Sequence, residues 1–342
     1  MHLHTGTPLT AAEAATLLGE ARDRTLLLVG SLSEEDLRAQ HDSLMSPIIW
    51  DLGHIAHYDE VWLLDTIESG GSGSEGLRGM YNPFENPRST RDGLELPTLA
   101  ECRSYMARVR TEVLRRLATL DLTSDVPLLL DGFVFRMVLQ HEYQHNETIL
   151  QTLQLKGGRA YPAQRTLAPL ASGTADAPEA GTMVHFPGGS VEHGTDDRSA
   201  AYDNERPLHT VHLDPFWMDA HPVTNGEFEN FVEDSGYSTR EVWTDAGWAW
   251  LQEAGVEAPK HWSRTEEGWR TRAFDLEGDL VPDKPVCHVC YFEADAYARW
   301  SGKRLPTETE WEAACSWDPV TGRKHAFPWG DEEPSSLRAN LD

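Results

Sequence analysis

Asp131-Gly-Phe-Val-Phe-Arg-Met-Val-Leu-Gln-His141-Glu-Tyr-Gln-His145-Asn-Glu-Thr-Ile-Leu-Gln-Thr-Leu-Gln-Leu155 has the length of an ordinary helix and stops at Lys156-Gly157-Gly158. On a 3.6-residue wheel Val134, Met137, Val138, His141, His145, Ile149, Thr152 and Leu153 form one mostly apolar stripe. Both histidines therefore lie on the face that should point into a core. A lone inward histidine is usually a hydrogen-bonded core residue. A pair at i and i+4 places two rings side by side, the spacing at which one helix supplies two ligands to one metal. A metal site then needs a third ligand from elsewhere in the chain.

Working outward, three more helices are expected before this one. Thr10-Ala-Ala-Glu13 is a capping box that opens a helix running to about Gly30. Ser46-Pro47 should start a second, with serine at the N-cap and proline at the first helical position, running to about Ile67. Thr98-Leu-Ala-Glu101 opens a third near Pro97 that runs to about Leu120. Four helices of about 20 residues with apolar stripes predict a four-helix bundle over residues 1–156. Trp50, His54, His57, Val61 and Leu64 share a face of the second helix, so His54 and His57 are both within geometric reach of the pair. Spacing does not choose between them.

The connection from Glu68 to Leu96 pairs a Gly/Ser run with the aromatic and Pro-rich Met80-Tyr-Asn-Pro-Phe-Glu-Asn-Pro-Arg88-Ser-Thr-Arg91. A loop of this length in a compact domain is more often functional than idle, and its second half is expected to be ordered. Arg88 and Arg91 either clamp a carboxylate-bearing ligand with forked hydrogen bonds or are solvated surface arginines. The pattern leaves both open.

Residues 157–181 are rich in Gly, Ala and Pro, have no period, and read as a linker. From Thr182 short β-like runs alternate with turns, and ten of the twelve tryptophans fall here. Helices are expected over Asn225–Ser235 and Glu293–Ser301, giving an irregular α+β domain over 182–342. Cys287-His-Val-Cys290 has redox or zinc half-site spacing. It lies in an apolar run that reads as a strand, where residues i and i+3 face opposite sides. The remaining cysteines, Cys102 and Cys315, are too scattered for a disulfide scaffold.

The 342 residues suit two domains, and a formal charge of -27 argues against nucleic acid, which needs a basic face. No run approaches 18 apolar residues and the N-terminus lacks signal-peptide regions, so the expectation is a cytoplasmic protein without membrane contact.

Trp50-x-x-x-His54 with His141-x-x-x-His145-x-Glu147 resembles the metal-binding bundle of the DinB-like superfamily. The second half resembles the formylglycine-generating-enzyme (sulfatase-modifying factor) domain, which has a C-type-lectin-like α+β fold. The resemblance rests on Phe186-Pro-Gly-Gly, Asn204-Glu-Arg-Pro, Pro222-Val-Thr-Asn, Gly302-Lys-Arg-Leu-Pro-Thr-Glu-Thr-Glu-Trp-Glu312, Pro328-Trp-Gly and Ala339-Asn-Leu. The two halves in this order resemble the ergothioneine-biosynthesis sulfoxide synthases of the EgtB type across essentially the whole chain.

That resemblance implies an iron(II) held by His54, His141 and His145, which resolves the choice on the second helix against His57. It implies Gln144 as a contact to the histidine-derived substrate, and Arg88 and Arg91 as holders of the carboxylates of γ-glutamylcysteine. The implied reaction joins that thiol to C2 of the imidazole of hercynine (N-α-trimethylhistidine), with dioxygen as co-substrate, in a monomer. Glu147 lies about 200° round the helix from His145, which turns it away from a shared metal. The family's catalytic tyrosine falls in a later segment than the one ending at Asp342, and none of the nine tyrosines present lies in its motif. The expectation is therefore a truncated product, a fragment or an incomplete gene. Competing readings are a synthase using cysteine or acting on histidine in the ovothiol manner, a zinc-dependent DinB-like thiol transferase, and an inactive truncated metal-binding protein.

Overall fold

The computed structural model describes residues 8–65, 79–123, 125–156, 161–162, 181–197, 201–332, 334–335 and 337–339. Most of the 157–181 linker and the Gly/Ser run of the long connection lie outside them. The chain forms two compact units, one of residues 1–161 with 196–206 and one of 162–195 with 207–342.

The first unit holds α1 (Ala11–Val29), a short α2 (Glu34–Arg38), α3 (Ile48–Asp59), α4 (Leu99–Leu117) and α5 (Phe133–Leu155). The α1 and α4 capping boxes form as the sequence requires, with Thr10 and Thr98 accepting from Glu13 and Glu101. The long helices pack as a bundle, α1 on α5 and α3 on both α4 and α5. Their shared core is Leu18, Ala21, Ile49, Leu52, Ile55, Val109, Val113, Val134, Val138, Ile149 and Leu153. The four-helix expectation holds, with α2 as an unforeseen insertion.

Two helix starts differ from expectation. The N-cap of α3 is Pro47 with no side-chain cap, and Ser46, one residue earlier, accepts from Arg91 Nη1 at 2.6 Å. After Asp59 the helix widens into a π turn over Glu60–Asp65, and the expected end at Ile67 lies outside the described residues. The α5 helix begins at Phe133 rather than Asp131, since Asp131 and Gly132 both take positive φ, 57° and 73°. At Gly132 a side chain would also run into Leu9, so both conformation and space call for glycine.

Gly53 has a different purpose. Tyr81, 1% exposed, lies against α3 where a Cβ on residue 53 would overlap its phenol. An alanine in a helix ordinarily gains about 1 kcal/mol over glycine. Here Gly53→Ala should instead lose about 1–3 kcal/mol through overpacking, read as a lower Tm.

Among the described residues the second unit has four small antiparallel sheets: β1 (Met183–Phe186) with β4 (Phe216–Asp219), β2 (Gly189–His193) with β3 (His209–Leu213), β5 (Trp262–Thr265), β6 (Gly268–Ala273) and β7 (Leu276–Asp279) in sequence, and β8 (Trp317–Asp318) with β9 (Arg323–Lys324). Helices α6 (Asn225–Glu233), α7 (Asp245–Ala254), α8 (Tyr291–Trp300) and α9 (Glu308–Ser316) complete it. Its core is aromatic, built on Phe228, Phe231, Tyr237, Trp243, Leu251 and Tyr297. The α+β expectation holds. Helix α6 stops at Glu233 because Ser235 takes a φ of 62°, and α8 starts two residues early at Tyr291. Helices α7 and α9 were not foreseen, although Thr307-x-x-Glu310 is a capping box in plain view.

The strand expected around Cys287 is not formed. Only an isolated bridge pairs Pro285 with Thr224, and His288 leaves the extended region with a φ of 64°. Cys290 becomes the N-cap residue of α8, and Cys287 is an exposed free thiol.

Candidate metal centre

Helices α3 and α5 bring His54, His141 and His145 together, with one nitrogen from each within 4.8 Å of the other two. Among the described residues no other group of three histidine, cysteine or acidic side chains converges in this way. The Nε2 atoms of His54 and His141 are 3.2 Å apart. Two nitrogens bound at right angles to one ion through bonds of about 2.1 Å would be separated by about 3.0 Å, so the pair fits a shared metal.

The outer nitrogens explain why these atoms face inward. His54 Nδ1 donates to the Tyr81 carbonyl oxygen at 2.9 Å, which leaves the Nε2 lone pair directed at the centre. His145 Nδ1 lies 3.3 Å from Asp51 Oδ1, off the line of a hydrogen bond. Asp51 is 1% exposed and its Oδ2 has no hydrogen-bond partner, so this carboxylate is held ready behind His145. The carboxylate–histidine–metal arrangement raises ligand basicity and holds ring orientation. His141 Nδ1 is buried without a hydrogen bond. Its orientation comes from stacking, since the Tyr58 ring lies 3.6 Å from it at 12°.

His57 does not join the group. Its Nδ1 lies 3.5 Å from the Tyr105 hydroxyl and 3.8 Å from Glu60 Oε2 instead. Glu147 is exposed and stays outside the cluster, as its position round the helix requires.

Burial sets the protonation of the cluster. Desolvation, reinforced by His145, pushes His54 down to about 3, and the same two causes with His54 hold His141 well below its ordinary value. Neutral imidazoles are what a metal needs. The sign for stability follows. An unfolded histidine takes a proton below pH about 6.5, whereas native His54 refuses one until about 3, so acid favours the unfolded chain. The metal-free protein should lose about 1.4 kcal/mol per pH unit for His54 as pH falls from about 6.5, with His141 acting in the same direction. Calorimetry between pH 7 and 5 would show Tm dropping; a flat Tm would contradict buried neutral imidazoles.

Beside His141 opens a cavity of about 390 Å³, lined among others by Tyr58, Trp62, Phe133, Gln144, Tyr202 and Asp203. Gln144 is exposed on α5 and reaches this cavity one residue before His145. Arg136 and Arg206 supply its cationic wall, Arg206 with its guanidinium 5.6 Å from the Phe133 ring. Tyr202, Asp203 and Arg206 lie in the 196–206 segment that packs in the helical unit. Sequence reading placed that stretch, with Asn204-Glu-Arg-Pro, in the second domain and drew no site residue from it.

Arg88 and Arg91 share one 3-10 turn, Arg88–Gly93, but not one environment. Arg91 is 5% exposed, lies 3.5 Å over the Trp50 ring, and donates to Ser46 Oγ and Asn86 O. Burial lowers it to about 10. Arg88 is exposed and donates to Leu44 O at 3.1 Å. Neither lines the cavity. Asp51, Tyr58 and the Tyr81 carbonyl were missed. Asp51 had a weak signal, standing three residues before His54, whereas a carbonyl oxygen has no signature in side-chain chemistry.

Comparison with known proteins agrees with this layout. The DinB superfamily model matches residues 17–149, and the sulfatase-modifying factor enzyme 1-like domain model matches 169–341. A protein of Mycolicibacterium thermoresistibile named hercynine oxygenase is 45% identical over 338 residues, covering 96% of this chain and 72% of its own length. The hercynine oxygenase of Mycobacterium tuberculosis is 44% identical over 342 residues, covering 96% of this chain and 75% of that protein. The formylglycine-generating enzyme of Bos taurus is 37% identical over 169 residues, 44% of this chain and 42% of that enzyme.

Proposed function

Because this chain belongs to the hercynine oxygenase family and is an enzyme of that kind, we propose that it is an iron(II)-dependent sulfoxide synthase. Its reaction would join the thiol of γ-glutamylcysteine to C2 of the hercynine imidazole, with dioxygen as co-substrate. The observation that carries the reading is the convergence of His54, His141 and His145 at the edge of a ligand-sized cavity. The three imidazoles suit iron(II) and would occupy one face of it. Bound there, the ion would supply a place to deprotonate the thiol and to use dioxygen.

The protein's own residues have the remaining tasks. The Tyr81 carbonyl keeps His54 oriented and the Asp51 carboxylate stands 3.3 Å behind His145, so the donor set is assembled before any substrate arrives. The walls of the cavity, Tyr58, Trp62, Phe133 and Tyr202 with Asp203 among them, suit a trimethylammonium cation, which binds over aromatic faces and beside a carboxylate. Gln144 lines the same cavity, which supports its assignment as a contact to the histidine-derived substrate. Arg88 and Arg91 are assigned to the carboxylates of γ-glutamylcysteine. Arg88 is the accessible one, and Arg91, tied to Ser46 and stacked on Trp50, is the pre-ordered one.

The assignment is tested by loading the protein with Fe(II) under anaerobic conditions, adding hercynine and γ-glutamylcysteine, and admitting oxygen. The coupled sulfoxide, identified by mass, is the expected product, with cysteine as the competing thiol. Oxygen uptake without coupled product from either thiol would sink the synthase reading. Among the described residues no helix is long and apolar enough to cross a membrane.

A further inference from the structure

Two of the three clustered imidazoles carry a stacked aromatic ring, and the two stacks end in different surroundings. Trp50 lies on His54 with centroids 4.7 Å apart and planes at 12°, and the Arg91 guanidinium sits 3.5 Å over the indole. Tyr58 lies on His141 with centroids 3.6 Å apart and planes at 12°, and Trp62, one turn on, follows at 6.0 Å. The π turn over Glu60–Asp65 carries Trp62 to the cavity wall, where Tyr58 and Asp203 also stand.

These surroundings give the two stacks different redox character. A fixed cation against an indole opposes removal of an electron, because the ring left behind would be positive beside a positive group. A carboxylate near a phenol favours the same loss, since it stabilises the positive charge and can take the proton. Asp203 stands on the same cavity wall as Tyr58. The stacked Tyr58–His141 pair and the tilted Tyr58–Trp62 pair, at 6.0 Å and 50°, supply the electronic contact.

We infer that Tyr58 and Trp62 form an exit route for oxidising equivalents from the three-histidine centre, while Trp50 under Arg91 is closed to them. This rests on the iron reading above. When dioxygen oxidises the centre and no substrate takes up the oxidation, one electron passes from the Tyr58 phenol through His141 to the centre. The phenolic proton is taken up through the cavity that Tyr58 and Asp203 both line, with the Asp203 carboxylate as acceptor, leaving a neutral Tyr58 radical. Trp62 returns an electron to Tyr58, which regains its proton. A small-molecule one-electron donor of the thiol or ascorbate class then reduces the Trp62 radical and is itself oxidised. The route spares His141 and His145 from oxidation during unproductive turnovers.

The test uses the full chain loaded anaerobically with Fe(II), with bound iron measured before oxygen is admitted without substrates or reductant. Samples frozen at intervals are read by electron paramagnetic resonance, and their peptides are mapped by mass for added oxygen. Wild type should give an organic radical and oxidised peptides at Tyr58 and Trp62. Tyr58→Phe keeps the stacked ring and should keep both Tm and bound iron. Its radical yield should fall at least tenfold, with oxidation moving to His141. Trp50→Phe should leave the radical unchanged, and Trp62→Phe should lengthen its life. Bound iron with no radical, or an equal radical in Tyr58→Phe, would overturn the route. Failure of the wild-type protein to bind iron would overturn the reading of the site itself.

Discussion

Alanine at His145 should abolish useful metal binding while leaving the bundle folded. Losing one of three donors is expected to weaken Fe(II) or Co(II) affinity on the order of 100- to 1,000-fold, since structural sites gain several kcal/mol from each ligand. The same loss is expected for His54→Ala and His141→Ala, because the three nitrogens converge as one donor set. His57→Ala is the control. That ring is equally buried, but its neighbours are the Tyr105 hydroxyl and Glu60, so its removal should cost about 1–2 kcal/mol of stability and no metal. Anaerobic competition with a chromogenic chelator measures the first quantity and a Tm series the second. Retention of metal in His54→Ala together with loss in His57→Ala would reverse the assignment.

The second large effect lies behind the site. Arg22, Asp59, Arg110 and Glu142 form a buried ionic quartet joining α1, α3, α4 and α5. Arg22 Nε donates to Glu142 Oε1 at 2.8 Å, and Arg110 Nη2 donates to Asp59 Oδ2 at 2.8 Å and to Glu142 Oε2 at 3.1 Å. Thr25 adds a hydrogen bond to Glu142 at 2.8 Å. Burial alone would raise the Glu142 carboxyl, but the two guanidinium groups outweigh it and hold it below its usual range.

Glu142→Ala leaves two guanidinium groups buried with one carboxylate between them, a change expected to cost about 3–5 kcal/mol. Against a total stability of about 5–15 kcal/mol that is enough to melt a marginal bundle. Urea unfolding followed by helical circular dichroism should show it, and a loss below about 1 kcal/mol would mean the quartet is not holding the helices. Glu142 is the neighbour of His141, and Asp59 is the neighbour of Tyr58. The quartet therefore sets the rotation of α3 and α5 about their axes, and with it the 3.2 Å approach of His54 to His141.

Much of this arrangement was legible in the chain because it repeats locally. The i, i+4 histidines and the apolar stripe around them follow from helical geometry alone, and Thr10–Glu13 and Thr98–Glu101 announce their helices through backbone hydrogen bonds that need no distant partner. Nothing local marks Glu142 as a buried charge, because its two arginine partners are 120 and 32 residues away in sequence. The run around Cys287 misled for the opposite reason. Apolar, β-branched residues favour a strand, but the segment docks on the start of α6 through Val223 and Asn225, and His288 turns out of the extended region.

The sequence by itself determined that this is a helical bundle followed by an α+β domain, with two histidines facing inward from one helix, because periodicity and capping are short-range. Residue spacing left His54 and His57 tied until the family resemblance favoured His54, and the tertiary structure brought that ring to the pair; only the tertiary structure put Asp51 and the Tyr81 carbonyl behind the cluster and stacked Tyr58 on His141. Those outcomes depend on how far each helix is rotated about its axis, and that rotation is settled by burial and charge pairing between segments distant in the chain.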